Sequence, residues 1–277
     1  MTNTRIIAIS FALVILVGTI LLCTPFASAE GSWTHPVDAF FTATTSTCVT
    51  GLVVFDTGAH WSLFGQIVIL FLIQIGGLGT VTIMAGFSLL VHKRMRLSDH
   101  LLIQDAFNLN TMSGLGSFIK KVIIGTLIVE GIGALLYMLV FVPEFGARGI
   151  WISVFNSVSA FCNAGIDIIA DNSLCDYALN PIVNIVTCSL IIMGGIGYIV
   201  WWDVIRILKQ SRTKKVGFFK SLTLHSKIAI TTTLALILVG AILIFVFEYK
   251  NPQTMKDYSL FEKIEVSIFQ AVTTRTA

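Results

Sequence analysis

Charge is scarce in this chain of 277 residues. Only 12% are Asp, Glu, Lys or Arg, where a soluble domain carries about 25%. That shortage excludes an ordinary water-soluble fold and intrinsic disorder. Lys+Arg 18 against Asp+Glu 15 leaves a net +3, which provides no basic face for nucleic acid. Cysteine is also sparse: Cys23, Cys48, Cys162, Cys175 and Cys188 form an odd set with no CxxC. They lie far apart without His at ligand spacing, which argues against a disulfide framework or a zinc site. No GxSxG or HExxH is present, and His35, His60, His92, His100 and His225 are scattered. Nucleophile chemistry therefore has no base beside it, including at Cys48 and Cys162. What is abundant is apolar: 55% hydrophobic residues and a mean hydropathy of +0.88. The composition describes a polytopic, all-α membrane protein.

A spanning helix needs about 20 apolar residues. Runs 6–27, 63–91, 118–142, 182–207 and 228–247 qualify. Arg5, the first run and Ala27-Ser28-Ala29 together resemble a secretory signal with its small-residue cleavage site. The run is longer than such a signal's apolar core and everything after it is also greasy, which favours a first transmembrane helix. Between the spans lie shorter segments, 36–47, 149–161 and 259–274, too short to cross and expected to be re-entrant. Lys and Arg set orientation. With the loops after the second and fourth spans inside, 13 of the 18 basic residues are cytoplasmic, as is the N-terminus. All three half-spans then enter from the external face, where 11 of the 15 acidic residues also lie. An acidic vestibule of that kind concentrates cations.

The half-spans repeat. Phe40 to Gly51 lies along Phe155 to Gly165, and Phe269 to Ala277 follows after a one-residue gap. Gln74-Ile75-Gly76-Gly77-Leu78-Gly79 pairs likewise with Met193-Gly194-Gly195-Ile196-Gly197. Gly51 to Gly165 is 114 residues and Gly76 to Gly194 is 118, so two landmarks share a period and mark a duplication. The expected divisions are 1–110, 111–222 and 223–277, the last a partial repeat. Internal repeats place a substrate site at their interface. Non-helical backbone at membrane depth survives only in a water-filled path or buried in protein, and tails of this kind around one axis make rings of carbonyl oxygen that replace an ion's hydration shell. Gly51 and Gly165 suit the φ > 0 geometry that turns successive carbonyls one way, and the helix ends pointing at the pore would be the negative ones, favouring a cation.

Thr47-Cys48-Val49-Thr50-Gly51-Leu52, Ser159-Ala160-Phe161-Cys162-Asn163-Ala164-Gly165 and Thr273-Thr274-Arg275-Thr276-Ala277 resemble the first three filter loops of the Trk/Ktr/HKT superfamily of potassium transporters, most closely its Ktr membrane subunits. The resemblance covers nearly the whole chain. It implies four membrane–pore–membrane repeats around a pseudo-fourfold pore, with no cofactor and K⁺, or also Na⁺, as cargo. It implies a plasma-membrane homodimer on a cytosolic nucleotide-binding ring of RCK-type subunits. Filter residues carried over are Cys48, Val49, Thr50, Gly51, Cys162, Asn163, Ala164, Gly165, Arg275, Thr276 and Ala277, with coordinating carbonyls on Val49, Thr50, Asn163, Ala164, Thr276 and Ala277. Gly51 matches the potassium-permissive residue of the first loop, where Ser accompanies sodium preference in the plant branch. The family continues with glycine after the position of Ala277, so the expectation is a fragment or truncated gene lacking the fourth repeat. A sodium-preferring transporter and a membrane-embedded enzyme or receptor with re-entrant loops are the alternative readings.

Other features have plainer explanations. The two GGxG clusters follow no strand and complete no nucleotide fingerprint; helix packing against small residues or a pore-side hinge accounts for them. Glu130, near mid-bilayer, is functional by default, either in conduction or as a hydrogen bond to a neighbouring helix. Asp203 beside Trp201 and Trp202 reads as interfacial. Lys120-Lys121 and the 206–220 cluster set topology, with anionic lipid or a regulatory partner as further roles.

Overall fold

The alternation of long apolar runs with short hydroxyl-rich segments becomes long helices alternating with short ones. The computed structural model describes residues 3–79, 82, 115–169, 173–211 and 218–276, in two compact units, Met1–Leu174 and Cys175–Ala277. Among the described residues there is no strand beyond one isolated bridge, Ser28 with Trp61.

The first unit opens with α1 (Asn3–Cys23), α2 (Pro36–Cys48), the single turn α3 (Thr57–His60) and α4 (Leu63–Leu78). Helix α1 is apolar all round, as a lipid-facing span should be. Helix α2 starts because Pro36 occupies its first turn, His35 accepts from the Val37 N–H, and Asp38 complements the positive helix end. It is rich in Thr and Ser, yet Thr42, Thr44, Ser46 and Thr47 each donate to the carbonyl four residues back at 2.7 to 2.9 Å. Those bonds satisfy the hydroxyls within the helix. Behind α1, the chain is sewn into the unit: the Ala29 N–H donates to the His60 carbonyl at 2.9 Å and the Ser62 N–H to the Ala27 carbonyl at 2.8 Å. After residues that lie outside the description, α5 (Leu115–Phe145) crosses and Gly146, at φ +58, turns the chain into α6 (Ala147–Phe161). A Cβ on Gly149 would collide with the Phe141 carbonyl, so α6 folds back closely on α5.

A 3₁₀ turn (Ser173–Tyr177) straddles the boundary between the units, and the second contains α7 (Pro181–Gly195), α8 (Tyr198–Ser211), the turn α9 (Phe218–Ser221), α10 (Leu224–Glu248) and α11 (Leu260–Thr274). Asn180 caps α7 and Pro181 opens it. Ser259 and Glu262 form a reciprocal capping box at α11. Helix α11 packs on α10 and on α7.

The run 182–207 was expected to be one continuous span, and the structure corrects this. Helices α7 and α8 meet at 100° because Gly197 sits at φ +91, a conformation that ends a helix and that hydropathy does not register. The Trp201 indole N–H bridges the bend to the Met193 carbonyl at 2.9 Å. Helix α4 ends in the same way. Gly79 has φ +81, and the N–H three residues later donates back to it (Thr82 to Gly79 at 3.0 Å, Val200 to Gly197 at 3.1 Å). Both glycine clusters thus end a helix at a left-handed glycine, and Gly76 and Gly77 are closely packed. Among the described residues, three helices have the length and apolarity to cross a membrane, Arg5–Cys23, Gly116–Phe145 and Leu224–Glu248, or four if the bent pair is one span. The part of the expected run 63–91 after Gly79 (Thr82 apart), the 110/111 boundary and the basic residues Lys93, Arg94, Arg96, Arg212, Lys214 and Lys215 lie outside the described residues.

Asp203 is structural rather than merely interfacial. It accepts from the Thr223 N–H and hydroxyl, both at 2.8 Å, and pairs with Arg206. Thr223 in turn caps α10, so one carboxylate ties α8 to the start of α10. Asp203→Ala should lower stability by about 1–3 kcal/mol by leaving the Thr223 donors unpaired, seen as a fall in the thermal unfolding midpoint in detergent. Arg206 is half exposed, so Arg206→Ala should have a small effect. Equal damage from the two variants would contradict this account.

Candidate ion-coordinating loops

Helices α2 and α6 each end in a short non-helical tail, and the two tails are built alike. In the first, Val49 takes φ +50 and Gly51 φ +79; in the second, Asn163 takes φ +58 and Gly165 φ +69. Each tail therefore has left-handed residues two apart. Val49 is unusual here, because a β-branched residue in this region is strained and persists only where its surroundings hold it.

Matching hydrogen bonds do the holding. The Thr50 N–H donates to the Thr45 carbonyl at 3.0 Å, and the Ala164 N–H donates to the Ser159 carbonyl at 2.8 Å. The Leu52 N–H donates to the Thr45 hydroxyl at 3.0 Å, and the Ile166 N–H donates to the Ser159 hydroxyl at 3.0 Å. Thr45 also bonds the Thr50 hydroxyl at 2.6 Å, while the Ser159 hydroxyl donates to the Ile166 carbonyl. The donors and acceptors of the bonds from Thr50, Ala164, Leu52 and Ile166 N–H stand 114 residues from their counterparts in the other tail. The Thr50, Leu52, Ala164 and Ile166 N–H groups are thus turned back onto the helix preceding each tail. Among the described residues the carbonyls of Val49, Thr50, Asn163 and Ala164 accept no hydrogen bond, although a backbone acceptor at membrane depth demands a partner. Oxygens left in this state are suited to coordinate a cation, and the negative ends of α2 and α6 lie beside them.

The tails touch. A Cβ on Gly51 would lie 2.6 Å from the Ala164 carbonyl oxygen and 3.7 Å from the Gly165 Cα. Glycine is therefore required at 51 for its φ and for its neighbour. Helix α4 packs behind both tails. A Cβ on Gly76 would strike the Thr47 carbonyl, and one on Gly77 would strike Cys162. Cys48 is exposed and Cys162 buried, and both are free thiols.

Just past the second tail, Asp167 is held by the Ser173 hydroxyl and the Ile169 N–H. Burial pushes its carboxyl above the ordinary range, and Asp56 adds to the rise against those hydrogen bonds. Asp56 caps α3 through the Gly58 N–H at 2.8 Å, and a Cβ on Gly58 would lie 2.7 Å from the Ile168 carbonyl. The segments leading out of the two tails thus run together with acidic residues between them.

In the second unit, α11 ends with Arg275 in right-handed geometry, and the Thr276 N–H donates to the Thr273 carbonyl at 3.2 Å. The equivalent bond in the second tail is Asn163 to Ala160 at 3.1 Å. Thr276 lacks the positive φ of its counterparts. The Arg275 guanidinium donates to the Thr233 hydroxyl on α10 at 2.8 Å. Ala277 lies outside the described residues.

A model of the TrkH family, described as cation transport protein, matches residues 1–277. The chain belongs to the TrkH family. It is 41% identical over 274 residues to the potassium/sodium uptake protein NtpJ of Enterococcus hirae, covering 99% of this chain and 58% of that protein. It is 39% identical over 278 residues to the Ktr system potassium uptake protein B of Bacillus subtilis, covering 100% of this chain and 60% of that one. The protein of the same name from Vibrio alginolyticus is 35% identical over 274 residues. The chain thus spans about three-fifths of the length of these relatives. TrkH members are membrane-embedded cation transporters, not enzymes, and the all-α membrane architecture of this chain is that of its family.

Thr45 and Ser159 were not among the residues singled out from sequence. The signal was present: a hydroxyl stands six residues before the glycine in both tails. In this TrkH chain, Ser159→Ala should leave the buried Ile166 N–H without its acceptor and cost about 1–3 kcal/mol. Thr45→Val removes the acceptor of the Leu52 N–H and should cost less, because Leu52 is largely exposed, whereas Thr45→Ser should stay near the parent. Thermal unfolding followed by tryptophan fluorescence checks this; parental stability for Ser159→Ala and Thr45→Val would refute the latch.

Proposed function

We propose that the protein is the pore-forming membrane subunit of a potassium uptake system, passing dehydrated K⁺ inward along its electrochemical gradient. The observation that carries this is the paired left-handed geometry at Val49 and Gly51 and at Asn163 and Gly165, which leaves carbonyls of neighbouring tails without hydrogen bonds. The carbonyls of Val49, Thr50, Asn163 and Ala164 replace part of the ion's hydration shell. The third loop contributes through Thr276 and Ala277, flanked by Arg275, and the remaining quarter comes from the part of the relatives' length beyond this alignment. The repeats are 1–110, 111–222 and 223–277, arranged about a pseudo-fourfold axis. The N-terminus is cytoplasmic, following the distribution of Lys and Arg. The subunit works as a homodimer in the plasma membrane on a cytosolic nucleotide-binding RCK-type ring. The named activities of the Bacillus and Vibrio relatives support K⁺ as cargo.

Sodium is the second reading, supported by the potassium/sodium name of the Enterococcus relative. Gly51 decides between them. A side chain there meets the Ala164 carbonyl, which displaces a coordinating oxygen and disturbs a cage sized for K⁺. Expression of the full-length gene in cells deficient in potassium uptake should restore growth at low K⁺, and Gly51→Ser should lower the K⁺/Na⁺ uptake ratio. A protein that reaches the membrane without rescuing growth would overturn the potassium reading. An unchanged ratio in Gly51→Ser would overturn the assignment of the filter.

A further inference from the structure

Among the described residues, the second tail has a polar support behind it that the first lacks. Glu130 sits midway along α5 and is only 4% exposed, although an ionisable side chain at that depth is costly. Its carboxylate accepts from the Gln74 side-chain amide of α4 at 3.0 Å. The Cys162 thiol, in the tail itself, is directed at the same oxygen at 4.0 Å. The Glu130 backbone carbonyl accepts the Ser157 hydroxyl of α6 at 2.6 Å, which joins α5 to the helix that carries the tail. Gln74 lies three residues before Gly77, whose missing Cβ leaves room for Cys162. Three helices therefore converge on Cys162, the residue immediately before Asn163 and Ala164.

We propose that Glu130, fixed by Gln74, is a positioning residue for the second filter loop and sets its ion selectivity through Cys162. The inference rests on the filter reading above. Glu130 touches no ion; it limits how far Cys162 can retreat, and so holds the Asn163 and Ala164 carbonyls at their distance from the axis. Removing the acceptor frees the loop to widen or collapse, and discrimination between ions that differ in radius is then lost before transport itself. The first tail needs no counterpart, because Thr45 bonds the Thr50 hydroxyl directly whereas Ala164 at the matching position has none.

The test is the K⁺/Na⁺ uptake ratio of the full-length protein in uptake-deficient cells, at matched abundance in the membrane. Glu130→Leu and Gln74→Leu should each reduce the ratio by about tenfold, the scale of one lost buried hydrogen bond. Glu130→Gln keeps an oxygen for Gln74 and should retain the parental ratio, which a purely electrostatic role in conduction would not allow. Cys162→Ala should reduce the ratio by less, and Glu130→Leu/Cys162→Ala should be no worse than Glu130→Leu alone. Should Glu130→Leu fail to reach the membrane, Gln74→Leu and Cys162→Ala decide the question in the same assay. A parental ratio in those variants, or independent effects of Glu130 and Cys162, overturns the proposal. A shifted ratio in Gly51→Ser beside parental Glu130 and Gln74 variants sinks this proposal alone; no shift in Gly51→Ser sinks the filter reading beneath it.

Discussion

A backbone carbonyl deep in a membrane must be given a partner, and everything around the two tails follows from how that demand is met. In each tail the N–H groups are satisfied by the preceding helix, through one carbonyl and one hydroxyl of Thr45 or Ser159. Once the donors are turned inward, alternating handedness points the acceptors the other way. The cost of holding Val49 and Asn163 at positive φ is offset by these fixed bonds rather than by packing alone. A cation is the ligand such a surface is suited to receive: carbonyl oxygen is the right donor for a hard ion, and the helix ends beside it carry partial negative charge.

Close packing makes the tails interdependent. Gly51 leaves no room between itself and Ala164, and Gly76 and Gly77 of α4 leave none between that helix and the bases of both tails. Two residues after Gly77, α4 ends at Gly79. The turn that buttresses the tails is therefore also the turn that terminates the helix, so a movement of the chain at Gly79 would be felt at both tails. Side-chain hydrogen bonds between an apolar helix and a later short helix recur along the chain: the Trp151 indole N–H donates to Gln66 at 2.8 Å, and the Asn184 amide donates to Glu265 at 2.9 Å. Gln66 and Asn184 stand 118 residues apart, the same spacing as the glycine clusters. In each case a side chain of an apolar helix fastens a short helix later in the chain.

Much of this was visible in the chain itself, because hydropathy and length are strong constraints in a membrane. The short segments 36–47, 149–161 and 259–274 correspond to Pro36–Cys48, Ala147–Phe161 and Leu260–Thr274, and the spans 118–142 and 228–247 fall within α5 and α10. The break at Gly197 was legible only as a glycine cluster that helix packing or a hinge would equally explain: residues 182–207 are mostly apolar, and only backbone φ distinguishes a bend from a straight helix. Asp203 was read as a residue at the membrane edge, since nothing local announces that Thr223, twenty residues on, will return to it. Glu130 stood out by its depth alone; its partners Gln74, Ser157 and Cys162 come from two other helices. The Thr45 and Ser159 latch was hidden for the opposite reason. Hydroxyls are so common in these segments that the two with a particular role are not distinguishable by type, only by their fixed distance from the glycine.

The central claim is that the carbonyls of the two tails coordinate the transported ion. Crystals of the full-length protein grown in Rb⁺, a heavy mimic of K⁺, test it by anomalous scattering. The account predicts anomalous peaks on one axis, level with the carbonyls of Val49, Thr50, Asn163 and Ala164, that disappear when Rb⁺ is replaced by Na⁺. Peaks located only at acidic side chains, with none level with those carbonyls, would contradict it.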